Sequence, residues 1–159
     1  MNSATMARQF DLVVFDWDGT LMDSAGAIVR AIVAACGDLG VAPPPEERAR
    51  HVIGLGLHDA LRHAVPGLSP TDYPRMADRY RHHYLASDHE LALFDGALEM
   101  MEWLQASRVL LAVATGKSRG GLDRALDHSG LGAVFHATRC ADEWFSKPHP
   151  AMLEELMEE

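Results

Sequence analysis

Lysine is nearly missing from this chain. The fourteen Lys and Arg residues divide into twelve Arg and only two Lys, Lys117 and Lys147. A compact ammonium and a broad guanidinium fork are not interchangeable, so these two positions stand out as places where a point charge is needed. A biased genome would lower lysine throughout the chain, but it would not choose the two exceptions. Cysteine is equally scarce. Cys36 and Cys140 lie far apart and form no Cys-x-x-Cys pair, which excludes a zinc ribbon or a thioredoxin-like centre. Two such cysteines read as reduced core thiols of a cytoplasmic protein. No run of about 18 apolar residues is present, so no membrane-spanning helix is expected. Met1 to Phe10 holds no apolar segment of the kind a secretory leader requires. Positive charge is short overall. The net charge of −9 argues against nucleic-acid binding, which calls for a basic face. Internal repeats and low-complexity stretches are absent.

What is there suffices for one ordinary domain. The chain has 159 residues, 48% of them hydrophobic, and a chain of that size buries about 70% of its unfolded surface. Its most informative stretch runs from Val13 to Ser24. Leu12 to Phe15 are apolar and read as a short buried strand. The strand stops at Asp16, a second carboxylate follows at Asp18, and Gly19 permits a backbone turn that a side chain would oppose. Two carboxylates flanking one residue can serve one site at a strand's C-terminal end, where open α/β sheets bind ligands. A plain Asp-Gly turn is the simpler reading of the four residues from Asp16 to Gly19. The longer string Asp-x-Asp-Gly-Thr-Leu-x-Asp-Ser is far more specific.

Downstream, Ser24 to Leu39 reads as a helix, with Ser24 as N-cap, Gly40 as stop and Ile28, Ile32, Ala35 and Leu39 on one face. Shorter helices are expected over Glu46–Val52 and Leu57–Val65, and a longer one from Asp72 to Ser87. The stripe Tyr73, Ala77, Tyr80 and Tyr84 of the last is read as packing. Gly54-x-Gly56 suggests a dinucleotide loop, but no strand precedes it and the third glycine is missing. After Phe94-Asp95-Gly96 a helix is expected. Val109 to Ala114 then forms a continuous apolar run, as in a parallel strand covered on both faces. Thr115-Gly116-Lys117-Ser118 follows, then a helix capped by Ser118 and stopped by Gly130. A third strand is expected over Val134 to Thr138, and a final helix over Pro150 to Met157. Gly116-Lys117-Ser118 is no P-loop, because position 111 is Leu where that motif needs Gly. As a strand-to-helix turn it can still cradle an oxyanion: Thr115 offers a hydroxyl, Gly116 an approachable N–H, and the helix N-terminus a favourable dipole.

In this order, the Asp16–Ser24 string, Thr115 at the end of a strand and Lys147 before Pro148 resemble the first three motifs of the haloacid dehalogenase (HAD) superfamily. The stretch from Arg50 to Leu61 and the Phe94-Asp95-Gly96 turn look most similar to phosphoglycolate phosphatases. The resemblance implies an α/β fold, a HAD-like Rossmannoid parallel-sheet core over residues 9–23 and 92–159, with an inserted all-helical cap over 24–91. It implies a magnesium-dependent phosphomonoester hydrolase acting on a small phosphorylated metabolite. In that reading Asp16 is the nucleophile and Asp18 the general acid and base. Thr115, Gly116 and Lys147 hold the phosphoryl oxygens, and Mg²⁺ is bound by the Asp16 carboxylate and the Asp18 main-chain carbonyl. Lys117 is expected to matter less than Lys147.

The superfamily's fourth motif, a Gly-Asp turn with further acids, has no counterpart here. Glu154, Glu155, Glu158 and Glu159 sit on a helix without that turn and read as a solvated face. The chain is therefore expected to correspond to the first three quarters of such an enzyme. It should self-associate through an uncovered strand edge or be only marginally stable, with little Mg²⁺-dependent turnover. Rival chemistries can be weighed on the same residues. A dehalogenase has no use for Asp18. A phosphonoacetaldehyde-hydrolase-like enzyme needs a cap lysine, and residues 24–91 contain none. A sugar-phosphate mutase uses both aspartates and stays open, as does an inactive fragment. Six of the nine histidines fall in the helical block, but without the i, i+4 spacing that helical zinc ligands favour.

Overall fold

The computed structural model describes residues 9–159; the expectation about a leader in Met1 to Phe10 lies outside them up to position 8. The elements in order are β1 (Leu12–Phe15), α1 (Ala25–Leu39), α2 (Glu46–His51), α3 (Leu57–Ala64), α4 (Tyr73–Leu85), α5 (Ala97–Ala106), β2 (Leu110–Thr115), α6 (Arg119–Ser129), β3 (Ala137–Cys140) and α7 (Ala151–Glu158). The three strands form one parallel sheet in the order β1-β2-β3, with Phe15 opposite Val113 and Thr115 opposite Cys140. Both Thr115 and the end of β1 therefore reach the same C-terminal edge of the sheet. Helices α1 to α4 form an all-helical block inserted between β1 and β2.

Alternation along the central strand decides how the sheet is covered. Leu111 and Val113 face one way, into a cluster with Phe15, Trp17, Met101, Leu122 and Leu126. Ala112 and Ala114 face the other, beneath Met152 and Leu156 of α7. The inserted block has its own apolar cluster, in which Ile28 and Ile32 of α1 meet Leu61, Met76 and Ala77. Each fully buried side chain of this size contributes about 1.5–3 kcal/mol, so both blocks carry a core. Helix α1 stops at Gly40 and α6 at Gly130, both in the left-handed conformation that glycine adopts without a Cβ penalty. The way out of the sheet and the way back are stitched together. Asp23 N–H donates to Ala92 C=O (2.9 Å) and Phe94 N–H to Leu21 C=O (2.9 Å).

Two sequence expectations shift. Strand β3 begins at Ala137 rather than Val134. The apolar residues before it are spent elsewhere: Phe135 packs edge-on against Phe15 and Trp17, at 6.4 and 6.3 Å between centroids. Strand β1 is only half-buried except at Phe15, because β2 is its one partner among the described residues. The terminal glutamates lie largely exposed, as expected, and one of them reaches back to the sheet. Arg139 of β3 pairs with Glu159 at 2.6 Å and lies 3.9 Å from Glu155.

Candidate active site

Trp17 builds the site by being buried. It is fully enclosed, and its main-chain carbonyl accepts the N–H groups of Thr20, Leu21 and Met22. With the indole in the core, the two flanking carboxylates are left at the sheet's C-terminal edge. Gly19, at φ +75°, closes this turn, its N–H donating to Met22 C=O (2.9 Å). Asp16 Oδ1 accepts from the Trp17 N–H at 2.7 Å and pairs with Lys147 Nζ at 3.0 Å. Asp16 Oδ2 turns towards Gly54. Asp18 is held from two sides: the Ser24 hydroxyl donates to its Oδ1 at 2.7 Å, and Lys117 Nζ lies 3.3 Å from Oδ2. Thr115 is completely buried, its Oγ1 accepting the Lys117 N–H at 3.1 Å. All five residues singled out as candidates, Asp16, Asp18, Thr115, Gly116 and Lys147, come together at this edge.

Each of the two lysines meets one of the two aspartates. Lys147 pairs with Asp16 and Lys117 with Asp18. The Lys117 side chain turns inward from the start of α6 and is only 12% exposed. Its amine also donates to the Tyr84 hydroxyl at 3.2 Å and sits 4.8 Å from the centre of that ring. Burial alone would pull the Lys117 pKa down, but the Asp18 carboxylate and the Tyr84 hydroxyl outweigh it and hold the amine above its ordinary value. Lys117 is thus a cation throughout the physiological range. Burial pushes the Tyr84 phenol up, so it remains neutral.

Other contributors escaped the sequence reading. Ser24 occupies the N-cap position but makes no capping hydrogen bond, because its hydroxyl serves Asp18. Tyr84, read as packing, reaches the site through its hydroxyl. The Gly54-Leu55-Gly56 turn, set aside as a failed dinucleotide loop, lies directly over the strand ends. A Cβ on Gly116 would collide with the carbonyl oxygens of Leu55 and Gly54, and one on Gly56 would stand 2.8 Å from Ser146 Oγ. The Gly56 N–H donates to that same Ser146 oxygen at 3.0 Å. Gly116 meets backbone, Gly56 meets the Ser146 side chain, and Gly54 adopts φ +100° beside Asp16 Oδ2, so each glycine has its own local cause. Above this floor the two blocks enclose a cavity of about 500 Å³, walled on the helical side by Ile28, Ile32, Leu61 and Tyr80 and on the sheet side by Lys117 and Asp142.

Oxygen donors of this kind suit a hard cation such as magnesium. Among the described residues, no group of three or more His, Cys, Asp or Glu side chains gathers to hold a metal.

Residues 13–159 match the family described as haloacid dehalogenase-like hydrolase. Tyrosine-protein kinase PtkA of Mycobacterium tuberculosis is 36% identical over 121 residues, covering 76% of this chain and 40% of that protein. Phosphoglycolate phosphatase of Agrobacterium fabrum is 30% identical over 144 residues, covering 86% of this chain and 61% of that protein. A crystal structure described as a predicted phosphoglycolate phosphatase from Haemophilus somnus superposes with a TM-score of 0.82 at 26% identity, over 96% of this chain and 72% of that one. The chain thus spans between two fifths and three fifths of the length of these two curated relatives.

Proposed function

We propose, on the premise that this chain belongs to the haloacid dehalogenase-like hydrolase family, that it carries the phosphoryl-transfer site of a phosphatase. Its substrate would be a small phosphorylated metabolite of the phosphoglycolate type. The observation that carries this reading is the pairing of Asp16 with Lys147 at the end of β1, beside Thr115 and Gly116 at the end of β2. An ionised carboxylate backed by a compact cation can approach a phosphate that it would otherwise repel.

Asp16 would attack phosphorus, forming an O–P bond as the ester O–P bond breaks. The leaving alkoxide would take its proton from the protonated form of Asp18, whose oxygens Ser24 and Lys117 orient. Water would then attack the aspartyl-phosphate, giving its proton back to Asp18 and releasing inorganic phosphate. Lys147, the Thr115 hydroxyl and the Gly116 N–H would stabilise the charge spreading over the phosphoryl oxygens. Mg²⁺, held by the Asp16 carboxylate and the Asp18 carbonyl, would neutralise part of the phosphate charge when bound. Residues 24–91 would act as the cap over a core of residues 9–23 and 92–159, in a cytoplasmic protein with no nucleic-acid or membrane partner.

The test is single-turnover release of phosphate from p-nitrophenyl phosphate and phosphoglycolate with Mg²⁺, comparing the chain with Asp16→Asn. Release that is slow but lost in the variant supports the reading; release at the same rate in both sinks it. A sugar-phosphate mutase would instead return an isomerised sugar phosphate.

A further inference from the structure

We propose that Lys117 is a positioning residue that holds the Asp18 carboxylate and, through Tyr84, fastens the helical block over the site. Three separate elements meet at its amine: the turn after β1 supplies Asp18, α4 supplies Tyr84, and the turn after β2 supplies the lysine itself. Both Asp18 oxygens lie within 3.3–3.4 Å of the amine, and the Tyr84 oxygen is 3.2 Å away. The partners on each side are themselves held. Tyr84 is stacked on Tyr80, with centroids 5.8 Å apart and planes 15° apart. Asp18 is fixed from the opposite side by Ser24 at the start of α1.

The root of the lysine is equally constrained. Its N–H donates to Thr115 Oγ1 at 3.1 Å, and its carbonyl accepts the Ala141 N–H at 3.0 Å. A buried ammonium is tolerated only when paired. If α4 moved away, Lys117 would lose the Tyr84 hydroxyl and ring together, and its grip on Asp18 would loosen with them. A lysine serving only to balance Asp18 would need no aromatic partner from the inserted block. One placed only to hold that block down would need no aspartate. Lys117 has both, and the placement of Asp18 is thereby tied to the seating of the block.

The role of Asp18 in this inference rests on the phosphatase reading; the fastening does not. The experiment combines hydrogen exchange with turnover in Lys117→Met and Tyr84→Phe. A hydrogen bond to a charged group is worth enough that its loss should raise amide exchange about tenfold in residues 54–56 and 80–85. Protection of β2 should be unchanged. On p-nitrophenyl phosphate kcat should fall in Lys117→Met with KM shifted by less than about threefold, because the residue acts on the transition state rather than on binding. Tyr84→Phe, which keeps the ring, should show the same exchange change and a smaller fall in kcat. Unchanged exchange at 54–56 and 80–85 in both variants overturns the inference. So does exchange that rises there and in β2 alike, which would make Lys117 a general stabiliser. If the parent chain releases no phosphate, the phosphatase reading falls, and exchange still decides the fastening.

Discussion

Gly116→Ala puts a methyl group where the inserted block touches the sheet. Its Cβ would stand 2.6 Å from the Gly54 carbonyl oxygen and closer still to that of Leu55. Both obstacles are backbone, so no side chain can swing aside. Overpacking of this kind costs about 1–3 kcal/mol, whereas loss of glycine's unfolded-state freedom returns about 0.4–1 kcal/mol. The net expectation is a moderate destabilisation, lowering Tm by about 2–4 °C per kcal/mol in a chain this long. The chain has a second way out, which is to lift the Gly54–Gly56 turn off the site. That relief spares stability and sacrifices geometry, and a displacement on the order of 1 Å costs about 10²-fold in rate. Phosphate release should therefore fall further than Tm. Gly37→Ala is the control, since it lies exposed within α1 with nothing within 4 Å of its Cβ. That change should stabilise by about 0.5–1 kcal/mol with release unaffected. Calorimetry and single-turnover release on the three proteins decide the matter. A Gly116→Ala protein that melts with or above the parent and releases phosphate at the parent rate would refute the close approach.

Other expectations are simpler. Lys147→Arg should slow release by at least about tenfold despite keeping its charge, because the larger planar guanidinium aims its charge differently from the compact ammonium that lies 3.0 Å from Asp16; an unchanged rate would contradict this. Cys36 and Cys140 should resist a thiol reagent at pH 8 until the chain is denatured. Both are fully buried, and burial, against the opposing pull of Arg119, pushes the Cys140 thiol up to about 12. The thiolate that reacts is therefore scarce until pH approaches that value; rapid native labelling would show that the core opens. Among the described residues β1 sits at the sheet edge with Phe10 exposed beside it, so sedimentation should show concentration-dependent self-association. A strict monomer across the accessible range would count against it.

How far the sequence spoke depended on whether a residue's role is local. The turn after Phe15 could be read because Asp16, Asp18 and Gly19 act within a few residues of one another. The apolar run ending at Thr115 could be read because a strand covered on both faces has no other pattern. Strand β3 was misplaced because the run from Val134 to Phe135 is apolar for the sake of Phe15 and Trp17, while the edge strand itself carries Thr138 and Arg139. The meeting of Lys117 and Tyr84 is not legible in the sequence, because it joins elements 33 residues apart and neither residue carries a local mark of it. Gly54 and Gly56 did carry a mark, as two glycines need a cause. Only the fold shows the causes: Gly54 sits at φ +100° beside Asp16 Oδ2, and Gly56 is pressed against Ser146.

The central claim is that Asp16 receives the phosphoryl group. It is tested most directly by mixing the chain with p-nitrophenyl phosphate and Mg²⁺, stopping the reaction in acid within its first turnover and mapping the modified peptide by mass spectrometry. The account predicts one phosphoryl group on Asp16, absent from Asp16→Asn. Phosphate release with no modified enzyme, or with the group on any residue other than Asp16, would contradict it.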